Sequence, residues 1–221
     1  MTGTLYVVAT PIGNLGDITV RALERLGSVD LIACEDSRVT RRLLQRYNIT
    51  TPTTSYHQHS DIHKIAQLVA QLKSGTNVAL VTDAGTPGVQ DPAGRLVQAV
   101  RAEHIAIVPI PGPSAVTALL SVAGVSADEF YFIGFPPKKK GRETLFKRLA
   151  TVPAPLVFYE SPMRVERLLR DIVTHLGDRS VLVGRELTKK FEETKSGLAT
   201  EVMAELASKK PKGEFVLIVL N

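Results

Sequence analysis

The chain has 221 residues, 44% of them apolar and 22% charged, with a net charge of +5; that is enough for one large domain or two small ones that each bury a core. No apolar run reaches the roughly 18–20 residues of a membrane span, and the N-terminus lacks the basic-then-apolar layout of a signal peptide. Cys34 is the single cysteine, so no internal disulfide forms, and a reducing cytoplasm is the expected location.

In chain order, an apolar strand over residues 5–9 runs into Thr10-Pro11-Ile12-Gly13-Asn14-Leu15-Gly16-Asp17. Glycine lacks a Cβ and tolerates positive φ, so this spare loop either turns the chain or lets backbone amides approach a ligand. Asp17 stands where it would cap a helix over 18–26. A strand over 31–34 precedes Glu35 and Asp36, and Ser37 would open a helix over 38–47 that carries Arg38, Arg41, Arg42 and Arg46. "SYHQHSDIH" gathers His57, His59, Asp61 and His63 at irregular spacing in a loop, which does not make a metal site. Ile62, Ile65, Leu68, Val69 and Leu72 share one helical face, with Gly75 as the stop.

"VALVTDAGTPGVQDPAG" is the most informative stretch. A continuous apolar strand over 78–81 ends at Thr82-Asp83-Ala84-Gly85, and Asp91 can cap a helix over 92–102. Small residues around Asp83 leave room for a flat ligand, and its carboxylate could accept from a hydroxyl or amine; a structural turn would use the same residues. A strand over 105–110 then meets "PIPGPSA", where Pro109, Pro111 and Pro113 stiffen the backbone. That interruption divides the chain into two α/β halves, 1–112 and 113–221.

In the second half, strands are expected over 130–133, 156–159, 180–184 and 215–220, with a helix over 164–176 opened by Ser161-Pro162. Between the first two strands, "PPKKKGRETLFKR" holds Lys138, Lys139, Lys140, Arg142, Lys147 and Arg148 against the single acid Glu143. Such a run is either a solvated basic loop or a phosphate grip. Strand ends also carry Tyr159 and Glu160, then Arg185, Glu186, Thr188 and Lys189, then Lys212, Gly213 and Glu214; cross-strand ion pairs account for Arg185 and Glu186 without catalysis. Strands alternating with helices predict an α/β protein with substantially parallel sheets, whose ligands lodge at strand carboxyl ends. A P-loop is excluded because no Lys-Ser/Thr follows the glycines, and the G-x-G-x-x-G dinucleotide fingerprint is absent.

Together "TPIGNLGDIT", "DLIACEDSRVTRRLL", "SYHQH", "VTDAGTPGVQDP", "PGPSAVTALLSVAG", "GFPPKKKGR", "FYESPMR", "RELTKKFEE" and "KGEFVL" resemble, in order and over essentially the whole chain, the bacterial small-subunit ribosomal RNA 2′-O-ribose methyltransferases of the tetrapyrrole-methylase-like superfamily. The resemblance implies a two-domain tetrapyrrole-methylase-like α/β fold with a cofactor cleft between the domains, a homodimer, and S-adenosyl-L-methionine as methyl donor. It implies as substrate the ribose 2′-hydroxyl of a cytidine (cytidine 1402) in the decoding centre of 16S ribosomal RNA, within the small ribosomal subunit. Pro11, Gly13, Asp83, Ala84, Gly85, Val89, Ser114, Ala115, Phe158, Leu187 and Gly213 are the implied donor-binding positions.

Candidate carboxylates for taking the hydroxyl proton are Asp17, Glu35, Asp36, Asp83 and Glu160, and Arg38, Arg41, Arg42, Lys138, Lys139, Lys140 and Arg142 would grip RNA. No metal is required. The sequence departs from the family pattern at Gln90-Asp91-Pro92-Ala93, where Ser-Asp-Pro-Gly is usual, and at Pro113, where a small residue is commoner. Many relatives also continue past "KGEFVLIV" into a further helical segment, whereas this sequence stops at Asn221; if that segment helps hold RNA, either the two basic clusters carry more of the grip or the sequence is a truncated form of a longer chain. A small-molecule methyltransferase of the tetrapyrrole or diphthamide-precursor kind, or a non-catalytic RNA-binding assembly factor, are the competing functions; the basic clusters oppose the first and the cofactor-loop residues the second.

Overall fold

The computed structural model describes every residue except 58, 59, 61, 208–211 and 221, so His59 and Asp61 of the histidine-rich stretch lie outside the described residues. The chain divides into two compact units, Met1–Ser114 and Ala115–Asn221.

In the first unit β1 (Leu5–Val8), β2 (Leu31–Cys34), β3 (Thr53–Ser55), β4 (Val78–Val81) and β5 (Ile107–Ile110) form one all-parallel sheet in the order β3-β2-β4-β1-β5. A parallel sheet is covered on both faces, which is why β4 can read Val-Ala-Leu-Val with every residue buried. Its side chains alternate between two cores. Val78 and Leu80 meet Leu68 and Leu72 of α3 (Ile62–Lys73) and Leu96 and Val100 of α4 (Ala93–Ala102). Ala79 and Val81 meet Ala22 and Leu26 of α1 (Val20–Ser28) and Leu43 and Leu44 of α2 (Ser37–Arg46).

The caps differ from expectation by one or two residues. Thr19, not Asp17, caps α1, its Oγ1 accepting from the Ala22 N–H at 3.1 Å; Asp17 ends a short 3-10 turn, Leu15–Asp17. Asp36, not Ser37, caps α2 by accepting from the Arg38 N–H at 2.8 Å. His63 lies in the first turn of α3 rather than in a loop.

The second unit is built differently. β6 (Tyr131–Gly134), β7 (Leu156–Glu160), β8 (Ser180–Arg185), β9 (Glu193–Leu198) and β10 (Phe215–Val219) pair in the order β6-β7-β10-β8-β9. β6 and β7 are parallel, and the other three pairings are antiparallel. The expectation of substantially parallel sheets therefore fails here: β10 runs antiparallel to both β7 and β8, and β8 is followed by an antiparallel β9 that the sequence reading missed. α6 (Arg142–Leu149), α7 (Val165–Leu176) and α8 (Ala199–Ala207) cover one face of this sheet, and α5 (Ala115–Leu120) the other. Among the described residues no helix is long and apolar enough to cross a membrane.

Candidate active site

All five strands of the first unit point their carboxyl ends to the same edge. The connections that follow β1 and β4, which are neighbours, leave in opposite directions: β1 leads to β2 on one side, β4 to β5 on the other. Crevices at such a reversal, outside the strand ends, are where open α/β sheets bind ligands. Here the two loops at the reversal are joined. Thr10 N–H donates to the Gly85 carbonyl at 3.0 Å and Gly85 N–H to the Thr10 carbonyl at 3.1 Å, while Thr10 Oγ1 donates to the Thr82 carbonyl at 3.1 Å.

Gly85 has φ +79°, a conformation that costs a residue with a Cβ roughly 1–2 kcal/mol. A Cβ there would lie 3.5 Å from Ile12 Cγ2 and 3.8 Å from the Pro113 carbonyl oxygen, so the loops after β1, β4 and β5 converge on this glycine. Thr86 Oγ1 also donates to the Pro113 carbonyl, at 3.4 Å. Pro11 is buried and Ser114 half-buried, whereas Gly13 and Ala84 are exposed; Val89 is an apolar side chain left 42% exposed. Asp91 accepts from the Gly88 N–H at 2.9 Å and from the Ala93 N–H at 2.8 Å, which fixes the far end of the loop. Sequence reasoning missed Thr10 and Ile12 as part of this edge; nothing in their types marks them, and only the strand order brings them to Gly85.

β2 lies on the other side of β4, and its end supplies the charge. Asp83 Oδ1 accepts from the Asp36 N–H at 2.9 Å, and the Asp83 backbone lies near enough to the Glu35 carboxylate to favour its charged form. The pKa of Glu35 is raised, first by burial and then by the Asp83 charge; that of Asp83 is raised by burial and by Asp36. Asp36 behaves oppositely: Arg38, whose Nη2 lies 2.6 Å from Asp36 Oδ2, pulls it down to about 2. Glu35 and Asp83 are thus shifted toward holding a proton, and Asp36 away from it. Arg41 and Arg42 are exposed on α2 beside this edge, while Arg38 is exposed but engaged by Asp36.

Three expectations in the second unit need correction. Glu160 is fully buried and ion-paired with Arg164 at 2.7 Å, and its Oε1 accepts from the Ser161 N–H at 2.8 Å, so it anchors the start of α7 and is no free base. The Phe158 side chain is wholly buried, stacked on Phe146 with ring centroids 6.1 Å apart; it builds the core rather than a ligand wall. Arg142 is 4% exposed, with Nε 2.6 Å from Asp171 and Nη1 donating to the Pro137 carbonyl at 2.9 Å, so it offers no guanidinium to a phosphate.

Leu187 is half-buried against the α5 side of the sheet, and Ala115 begins α5 itself. Gly213 has φ +95°, and a Cβ there would collide with Glu186. Lys189 binds both Glu186 and Glu214 at 2.9 Å, and Glu186 and Thr188 in the same turn have positive φ. The ion pair expected of Arg185 is present, to Glu193 directly opposite it on β9 at 3.1 Å.

Residues 4–203 match the tetrapyrrole (corrin/porphyrin) methylase family. The chain belongs to that family. Within it, the chain is 50% identical over 97% of its length to the ribosomal RNA small subunit methyltransferase I of Mesorhizobium japonicum, spanning 74% of that protein. To the protein of the same name in Thermotoga maritima it is 42% identical, spanning 98% of each. The solved structure of a diphthine synthase superposes with a TM-score of 0.77 over 99% of this chain and 90% of that one; at 16% identity this similarity shows the fold alone. Methylases of this family depend on S-adenosyl-L-methionine.

The edge just described fits such a donor. Its sulfonium and ammonium groups are cationic, and the Glu35–Asp83 pair is an anionic site whose charges repel each other in partial burial. Gly85 itself is buried, with its N–H and carbonyl both bonded to Thr10, and Asp83 and Ala84 are the residues this loop exposes.

Proposed function

We propose that this methylase acts on ribosomal RNA, placing a methyl group on the ribose 2′-oxygen of a cytidine of 16S RNA (cytidine 1402) in the small subunit, in the cytoplasm and as a homodimer. The observation that carries the proposal is the 42–50% identity, over nearly the full chain, to proteins named for ribosomal RNA small subunit methylation. S-adenosylmethionine, when bound, supplies a methyl group already activated on sulfur.

This chain's own residues would then bind and orient. Pro11, Gly13, Asp83, Ala84, Gly85, Val89 and Ser114, along the strand-end edge of the first unit, would hold the donor. Orientation of this kind can supply up to roughly 7–11 kcal/mol of a barrier. Glu35 or Asp83, whose raised pKa values suit a proton acceptor better than the depressed Asp36, would take the hydroxyl proton.

The test is transfer of labelled methyl from S-adenosylmethionine to small subunits lacking the modification. Label in the ribose of the named cytidine is expected; label elsewhere, or none, removes the proposal. Donor affinity should also depend on pH with a definite sign. Glu35 and Asp83 bind a cation as carboxylates, and their folded pKa values lie above the ordinary 4.5 and 3.8. Affinity therefore falls as pH drops through those raised values. Calorimetric titration across that window checks it, and Glu35→Gln should flatten the profile.

A further inference from the structure

We infer that residues 137–141 form a prearranged grip for the RNA sugar-phosphate backbone, in which Lys138, Lys139 and Lys140 make the contacts while Arg142 and Arg167 are positioning residues that hold the loop in shape. The inference deepens the ribosomal-RNA reading above and rests on it.

Three consecutive carbonyls of this loop are tied down by donors from the helices beneath. The Pro137 carbonyl accepts from Arg142 Nη1 at 2.9 Å, the Lys138 carbonyl from Arg167 Nη1 at 3.0 Å, and the Lys139 carbonyl from the Arg142 backbone N–H at 3.2 Å. Arg142 is itself immobilised by Asp171 and by the Phe146 ring, 5.4 Å from its guanidinium carbon. Gly141, at φ +80°, makes the turn into α6 that a residue with a Cβ would resist.

The three lysines above these anchors are exposed, and none of them forms an ion pair among the described residues, whereas the neighbouring Lys147 is neutralised by Glu143 at 2.7 Å. A basic stretch that must be ordered on binding loses affinity to that ordering; one whose backbone is already fixed does not. Two guanidiniums spent on a loop's carbonyls make sense where the three charges it presents must meet phosphates in one register.

The test uses the full chain and a fluorescent single-stranded RNA, titrated at several salt concentrations. Replacing Lys138, Lys139 and Lys140 together by Ala should reduce the log-affinity against log-salt slope by about 2, since each lost phosphate contact on a single strand contributes about 0.7. Arg142→Lys with Arg167→Lys keeps every charge but unties two carbonyls. It should weaken binding about tenfold with the slope unchanged, and should cost nothing further once the three lysines are gone. Should that pair not fold, Arg167→Lys alone is to show a smaller loss with the same dependence on the lysines. An equal loss in the lysine-free background, a parental slope in that background, or tighter binding to anionic phosphatidylglycerol vesicles than to RNA would each overturn the inference. Methyl transfer to small subunits is measured alongside. A parent that methylates subunits while its loop variants bind RNA normally removes the loop inference alone; loop-dependent RNA binding without methyl transfer removes the proposed reaction alone.

Discussion

Phe158→Ala is expected to destabilise the second unit by about 3–5 kcal/mol, the usual cost of emptying a buried aromatic site. Phe158 is fully buried in a cluster with Phe146, Leu168, Leu169, Val183 and Leu217, and it stacks nearly parallel to Phe146, at 10°. The cavity would open in the middle of the sheet, between β7 and the helices α6 and α7, where the backbone cannot follow it inward. Calorimetry is the suitable measurement, because two compact units need not unfold in a single transition. The unit containing Phe158 should melt earlier while the first unit's transition stays in place. Phe158→Leu, which keeps most of the volume, should cost less and leave donor affinity unchanged. A Phe158→Leu protein of parental stability that no longer binds the donor would show that this ring is a ligand wall after all.

The buried Phe158 side chain shows where sequence reading stops. The fully buried β4 was legible because four apolar residues followed by Thr82-Asp83-Ala84-Gly85 can hardly be anything but an interior strand ending in an open loop. α3 was legible from its apolar spacing. β9 was not: its Glu-Thr-Lys-Ser-Gly-Leu is polar, alternating between half-buried and exposed, and is a strand only because β8 lies beside it at the sheet edge. The basic stretch failed for a related reason. Arg142 and Lys140 look equivalent in a charge run, and what separates them is Asp171, 29 residues further on. The carboxylate cluster was half legible. Asp83 and Glu35 could each be named as a strand-end acid, but the charge coupling between them and the Asp36 N–H bond to Asp83 depend on β2 and β4 being neighbours, which no local signal encodes.

Asp83→Ala is expected to lower donor affinity by roughly tenfold to a hundredfold, the range that corresponds to a lost charge-assisted hydrogen bond of about 1.5–3 kcal/mol. Two effects contribute. The first is electrostatic: the cationic donor loses one of the two carboxylates whose repulsion its binding relieves. The second is structural, because the Asp36 N–H, which donates to Asp83 Oδ1 at 2.9 Å, is left without its acceptor and the end of β2 is freed from the end of β4. Asp83→Asn separates them. An amide oxygen can still accept from Asp36 but carries no charge, so a loss of affinity equal to that of Asp83→Ala assigns the effect to charge, and near-parental affinity assigns it to loop geometry. In the Asn variant the Glu35 pKa should also move down toward its ordinary 4.5, since the Asp83 charge is one cause of its rise. The pH midpoint of any remaining donor binding should then shift to lower pH. Calorimetric titration of both variants with S-adenosylmethionine reads affinity and midpoint together, and unchanged affinity in Asp83→Ala would remove this carboxylate from the donor site.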